Sequence, residues 1–133
     1  MATVTAIAPG LSLRTVLRTD GGSTAAFGVV LLAAGRILRD PLGLPLAWSI
    51  PFGIAMLGGA AALLLIAGYP DIPTRLARTV VAVNLLSALA LLVLAFTGLI
   101  PLTGWGIAFL LIGALVVTIF ADLEYLALRR KQR

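Results

Sequence analysis

Apolar residues in this chain come in long uninterrupted runs separated by short polar junctions. Leu46 to Gly68, Thr79 to Ile100 and Leu102 to Ala121 contain no formally charged residue. Each matches the roughly 20 residues a helix needs to cross a hydrocarbon layer about 30 Å thick. The uncharged stretch Gly21 to Gly35 is too short to do so at about 1.5 Å per residue. Extended back to about Val16 it suffices, which draws Arg18 and Asp20 into the edge of the bilayer. The junctions RDPLGLP, YPDIP and IPLTG concentrate Pro, Gly and Asp, which end helices and make tight connections. The pattern therefore predicts an all-α membrane protein, a single membrane domain over 1–133, with helices at about 14–38, 46–69, 74–100 and 103–129. Short sequential loops favour antiparallel neighbours, so the expected architecture is a four-helix transmembrane bundle running up-down-up-down.

Composition removes the soluble alternative. With 61% hydrophobic and only 11% charged residues, the chain lies far from a soluble domain, where about a quarter of residues are charged. It has no Cys and no His. That takes thiolate chemistry, zinc sites built on those ligands, disulfides and imidazole acid/base work out of consideration, and neither a cofactor nor a metal is expected.

The cations set an orientation. Arg14, Arg18, Arg75, Arg78, Arg129, Arg130, Lys131 and Arg133 fall on one side of the expected bundle, and only Arg36 and Arg39 on the other. Short cytoplasmic loops carry the Lys and Arg excess, so both termini are expected in the cytoplasm of a multi-pass protein of the bacterial inner (plasma) membrane. Trp48 and Trp105 at the outer helix ends, and Tyr69 and Tyr125 at the inner ones, agree as interfacial residues. Nothing before Val16 reads as a secretory signal, so helix 1 is expected to be retained. The net charge of +5 fits attraction of the tail LRRKQR to anionic lipid, about 1 kcal/mol per cation near the surface. No nucleic-acid partner is expected, because there is no soluble basic face or aromatic platform.

A repeat is visible at an offset of 64 residues: Arg14-Thr15-Val16 recurs as Arg78-Thr79-Val80, and Asp20 falls on Asn84. Farther along the offset is shorter: PLAW (Pro45 to Trp48) answers PLTGW (Pro101 to Trp105), and Tyr69 stands 56 residues before Tyr125. Duplicated hairpins related by an axis along the membrane normal would produce this. So would coincidence between two hairpins rich in Leu, Ala and Val.

Ionisable side chains within a span usually face protein or water. Asp20, with Ser23, Thr24 and Phe27 on its face, lies about one turn into helix 1, and Asn84 about two turns into helix 3. In helix 4, Thr118, Asp122, Tyr125 and Arg129 form one stripe, whereas Glu124 points to a different side. The expected cluster joins Asp20, Asn84 and one of Asp122 or Glu124, with Arg18, Arg78 or Arg129 as counter-charge. The competing reading makes the carboxylates interfacial groups paired locally with Arg, and Asn84 a packing hydrogen bond. Small residues on helix 1 (Gly21, Gly22, Ala25, Ala26, Gly28) and helix 2 (Ala55, Gly58, Gly59, Ala62) predict tight helix pairs, with a homodimer seam as the alternative. Arg36 and Asp40 have the spacing of a surface pair.

Taken together, Arg18 and Asp20 leading into helix 1, Leu-Gly-Leu-Pro at Leu42 to Pro45, Val-Asn-Leu-Leu-Ser at Val83 to Ser87, Pro-Leu-Thr at Pro101 to Thr103 and the terminal Glu-Tyr-Leu-Ala-Leu-Arg-Arg resemble a family of small, uncharacterised bacterial four-span membrane proteins. In size and layout the chain is more distantly similar to DoxX-like four-helix proteins. The resemblance implies the architecture and directs attention to Asp20, Asn84 and Glu124. It implies no substrate.

Three functions compete. The leading expectation is a non-enzymatic integral membrane protein, either an accessory subunit or a binder of a lipid or lipophilic molecule between its helices. Its partners would be membrane lipids, with a homo-oligomer or a larger membrane complex as further possibilities. The second is a small oligomeric transporter or channel. The third is a membrane enzyme using Asp20 and Glu124 as an acid/base pair.

Overall fold

In the computed structural model residues 12–132 are described; residues 1–11, on which the expectation of no secretory signal rests, and Arg133 lie outside them. The described chain forms four helices, α1 (Leu13–Leu42), α2 (Leu46–Ala67), α3 (Thr74–Phe96) and α4 (Gly104–Gln132). All four are long and apolar enough to cross a membrane. The protein is thus an integral membrane protein folded as an all-α four-helix bundle.

Local signals explain the helix limits. Ser12 caps α1, its hydroxyl accepting from the Thr15 N–H at 3.1 Å. The helix runs past the expected end near residue 38, through Arg39, Asp40 and Pro41. It stops only where Gly43 adopts the left-handed conformation (φ 65) and the Gly43 and Leu44 N–H groups both return to the Arg39 carbonyl. Gly43, not the proline, is the stop signal. α3 ends at Phe96, short of the expected 100, because Gly98 (φ 75) turns the chain away. The Arg36–Asp40 pair does not form: Asp40 is paired with its neighbour Arg39 at 3.3 Å. Both side chains are mostly exposed, so this contact adds little stability.

Two polar fastenings define the ends of the bundle. At one end, Arg14 of α1 donates to the Ala67, Tyr69 and Pro70 carbonyls where α2 stops. This satisfies orphan acceptors and places a cation at the negative end of the helix dipole. Lys131 of α4 joins the same end, donating to the Ile72 carbonyl at 2.6 Å and pairing with Asp71 at 3.0 Å. At the other end, the last carbonyls of α1 dock on the α3–α4 connection: the Thr103 hydroxyl donates to Pro41 at 2.6 Å and the Thr103 N–H to Leu42 at 3.0 Å. The same hydroxyl accepts from the Gly106 N–H. Trp48 and Trp105 sit at this end, Tyr69 and Tyr125 towards the first.

α1 packs along α2, and α3 along α4; the hairpins meet chiefly through α1 and α4, whereas α2 and α3 hardly touch. The α1–α2 seam repeats every seven residues. Gly21, Gly28 and Gly35 of α1 face α2, whose buried small residues Gly53, Ala60 and Ala67 keep the same interval. A side chain at Gly28 would press on the Gly53 carbonyl, and one at Gly53 on the Gly28 carbonyl, both at 3.1 Å. Such small-residue crossings let backbones approach and replace the hydrophobic driving force that lipid cannot supply. Part of the small-residue expectation does not hold. Ala55, Gly58, Gly59 and Ala62 are exposed, with open space around Gly58 and Gly59, because the register through Gly53, Ala60 and Ala67 turns them away from α1. On α1, Gly22 and Ala26 are exposed as well.

Apolar packing is concentrated at two levels. Leu13, Leu17, Leu63, Ile72, Val80 and Leu128 form one cluster at the Arg14 end; Leu31, Leu42, Leu44 and Ile100 form the other, flanked by Trp48, Phe52 and Phe109. Ile37, Leu65, Leu86, Phe96 and Leu115 are exposed, as side chains facing lipid should be. A Cβ at Gly106 would collide with the Leu42 carbonyl, a backbone atom that cannot step aside. Gly106→Ala should therefore lower stability by about 1–3 kcal/mol, while Gly58→Ala, in open space, should leave it unchanged or slightly raised. Thermal unfolding of the two variants in detergent separates these outcomes.

Candidate functional site

Between the two apolar levels lies a polar layer. Each of its members occupies a core-seam position with alternating spacings of four and three. On α1 the series is Leu13, Leu17, Asp20, Thr24, Phe27, Leu31; on α3 it is Ala77, Val81, Asn84, Ala88, Leu91, Ala95; on α4 it is Leu110, Ala114, Val117, Ala121, Glu124, Leu128. Every residue in these rows is buried or half-buried. Asp20, Asn84 and Glu124 are thus carried inward by the same periodicity that carries the leucines and alanines. Asp20 retains 4% exposure and Glu124 none, while Asn84 is half-buried.

The Asn84 amide is the centre of the cluster. Its Nδ2 donates to Asp20 Oδ2 at 3.0 Å and to Glu124 Oε1 at 2.6 Å, one hydrogen to each neighbouring helix. The Thr24 hydroxyl, one turn along α1, donates to Asp20 Oδ1 at 3.1 Å. Glu124 Oε2 is buried and has no hydrogen-bond partner among the described residues. Two carboxyl groups therefore share two donor side chains that between them satisfy three of four oxygens. Edge-on packing of Phe27 against Phe109, at 6.3 Å between ring centroids, adds an aromatic contact between α1 and α4 farther from the Arg14 end.

The expected site residues separate cleanly. Asp20, Asn84 and Glu124 come together; Asp122, Arg18 and Arg78 do not, and all three are exposed. The counter-charge expected from Arg18, Arg78 or Arg129 is not found. Arg129 lies over the Tyr125 ring at 5.8 Å, and the ion pairs Arg39–Asp40 and Lys131–Asp71 lie elsewhere. The stripe through Thr118, Asp122, Tyr125 and Arg129 presents Asp122, Tyr125 and Arg129 outward, and the Thr118 hydroxyl is spent on the Ala114 carbonyl of its own helix. Asp20 and Asn84, the positions matched by the 64-residue offset, bond directly to each other. Glu124 has no acidic counterpart at either offset: Ala60 stands 64 residues before it and Gly68 stands 56 before it.

Depth follows from helix rise. Asp20 lies about 10 Å from the start of α1, Asn84 about 15 Å from the start of α3 and Glu124 about 12 Å from the end of α4. Asp122 is about 3 Å deeper than Glu124 along α4 and is exposed. The buried cluster thus lies inside the protein, about 10–15 Å in from the Arg14 end of the helices.

No protein-family model matches the chain, and neither a curated protein nor a solved structure does. The site must be read from its own chemistry. Replacing Asn84 by Leu would leave both buried carboxyl groups without their shared donor, which costs more than the roughly 0.6 kcal/mol of an average interhelical hydrogen bond in a membrane protein. We expect Asn84→Leu to destabilise the bundle by about 2 kcal/mol and Asp122→Asn to change stability by less than about 0.5 kcal/mol. Equilibrium unfolding in mixed micelles would check both values.

Proposed function

We propose that the protein is a non-enzymatic membrane component that binds an amphiphilic molecule between its helices, with the Asp20–Asn84–Glu124 cluster receiving the polar end and the bilayer the apolar end. One observation carries this reading: a wholly buried carboxylate oxygen, Glu124 Oε2, stands without a donor in a cluster otherwise joined by hydrogen bonds. Buried polar atoms are nearly always satisfied, and the exceptions tend to be functional. The loose α2–α3 seam and the half-buried Asn84 support access from the α3 side. A mostly apolar site with a few convergent polar groups is the usual make-up of a small-molecule pocket.

In this reading the helices run up-down-up-down across a bacterial inner membrane with both termini cytoplasmic. Support comes from the cation distribution and from the placing of Arg14 and Lys131 at one end of the bundle. The layout also fits the resemblance to small bacterial four-span proteins. A second reading, a small oligomeric transporter, draws on the same buried carboxyl pair, because ionisable groups inside a bundle commonly mark ion or proton pathways.

Protein extracted with its native lipid and analysed by native mass spectrometry should carry one retained amphiphile, and Asp20→Asn combined with Glu124→Gln should lose it. Retention unaffected by the double substitution contradicts the binding site. Flux through liposomes that disappears in Asp20→Asn would favour transport instead. A reporter fused after Arg133 should signal from the cytoplasm; an extracytoplasmic signal would reverse the orientation and move the cluster to the outer leaflet.

A further inference from the structure

The cluster has a donor deficit and a charge deficit of the same sign, and these define what would fill it. Its hydrogen-bonding groups are two carboxyls, one amide and one hydroxyl. The amide's two hydrogens are both committed, and the Thr24 hydroxyl is committed to Asp20. Arg18, Arg78 and Arg129, the cations closest in sequence to these three residues, make no ion pair with either carboxyl. Two adjoining buried carboxyl groups cannot both ionise without a cation or a proton between them. A neutral donor on a ligand would remedy the hydrogen-bond deficit alone. A cation without N–H groups would remedy the charge alone. An alkylammonium head remedies both, through charge-assisted N–H bonds roughly twice as strong as neutral ones.

Resting on the amphiphile-binding reading, we infer that the cluster selects a primary ammonium head group, which donates to Glu124 Oε2 and is shared with Asp20. Two sources present this chemistry: a free long-chain amine and the head of an ethanolamine phospholipid. Either would place its charge beside the carboxyl pair and its chain in the surrounding hydrocarbon.

The test uses the full chain in bilayer discs of phosphatidylcholine, with dodecylamine, dodecyltrimethylammonium and dodecanol as probes and the unfolding midpoint as readout over a concentration series. Dodecylamine should stabilise the protein with an apparent affinity roughly tenfold tighter than the other two, the advantage expected of a charge-assisted hydrogen bond. In Glu124→Gln that advantage should vanish; in Asp122→Asn, which lies outside the cluster, it should persist. Because the ranking is read on the unsubstituted protein, it does not depend on the folding of Glu124→Gln. Discs containing phosphatidylethanolamine distinguish the sources: weakened dodecylamine binding there identifies the lipid head, and unchanged binding identifies a free amine. Equal, saturable binding of dodecylamine and dodecanol would overturn the ammonium preference while leaving an amphiphile site in place. Equal binding of dodecyltrimethylammonium would overturn the need for N–H donors. No saturable effect from any probe would overturn both this inference and the reading beneath it, and would leave a proton between the two carboxyl groups as the missing donor.

Discussion

A single side-chain amide holds the polar layer together. Asn84 can donate two hydrogens, and it gives one to α1 through Asp20 and the other to α4 through Glu124. In water such bonds would exchange freely for solvent, but a hydrocarbon surround offers no substitute partner. Buried carboxyl groups must therefore keep the donors the protein gives them. This fixes the register of three helices at one level, much as a lone polar residue at a coiled-coil seam fixes the pairing of its strands. It also accounts for a division of labour within the bundle. The α1–α2 contact is made by small residues and backbone approach, whereas the connection of the α1–α2 hairpin to α3 includes the amide bridge.

Around that layer, structure and chemistry place different demands on the chain. The glycine seam between α1 and α2 is closed: a Cβ at Gly21, Gly28, Gly35 or Gly53 would stand 3.1 Å or less from the facing helix. The contact between α2 and α3 is slight. A bundle built from two equivalent hairpins would close both inter-hairpin seams alike, yet only α1 and α4 meet substantially. The asymmetry coincides with the chemical one: Asp20 and Asn84 answer each other at the 64-residue offset, while Glu124, on the better-closed seam, has no acidic counterpart. The unpartnered oxygen belongs to Glu124. The fastenings at the bundle ends, Arg14 and Lys131 on one side and Thr103 on the other, hold the helix termini without touching the polar layer.

Much of this was legible in the sequence, for identifiable reasons. Apolar run length marked three spans outright, and a fourth once Arg18 and Asp20 were admitted to its edge, because the thickness of a bilayer leaves little freedom. Asp20 and Asn84 stood out because polar residues inside spans are rare and need a reason. The choice between Asp122 and Glu124 was harder, since both lie in one turn of α4. The regular four-and-three spacing from Leu110 to Leu128 includes Glu124 and passes over Asp122, so the information was present in the seam pattern. The seven-residue interval of Gly21, Gly28 and Gly35 was equally present, whereas a simple count of small residues gave equal weight to Gly58 and Gly59, which face outward. Two features had no local signal. That Arg14 caps α2, and that Arg18, Arg78 and Arg129 stay outside the cluster, both depend on how distant segments meet.

One amide joins two carboxyl groups on different helices. Solid-state NMR of the protein in lipid bilayers, with ¹⁵N in the Asn84 side chain and ¹³C in the Asp20 and Glu124 carboxyl groups, tests it directly. Through-space transfer from Asn84 Nδ2 to both carboxyl carbons, at the distances of direct hydrogen bonds, is the expected result. Transfer to only one of them, or to neither, would contradict it.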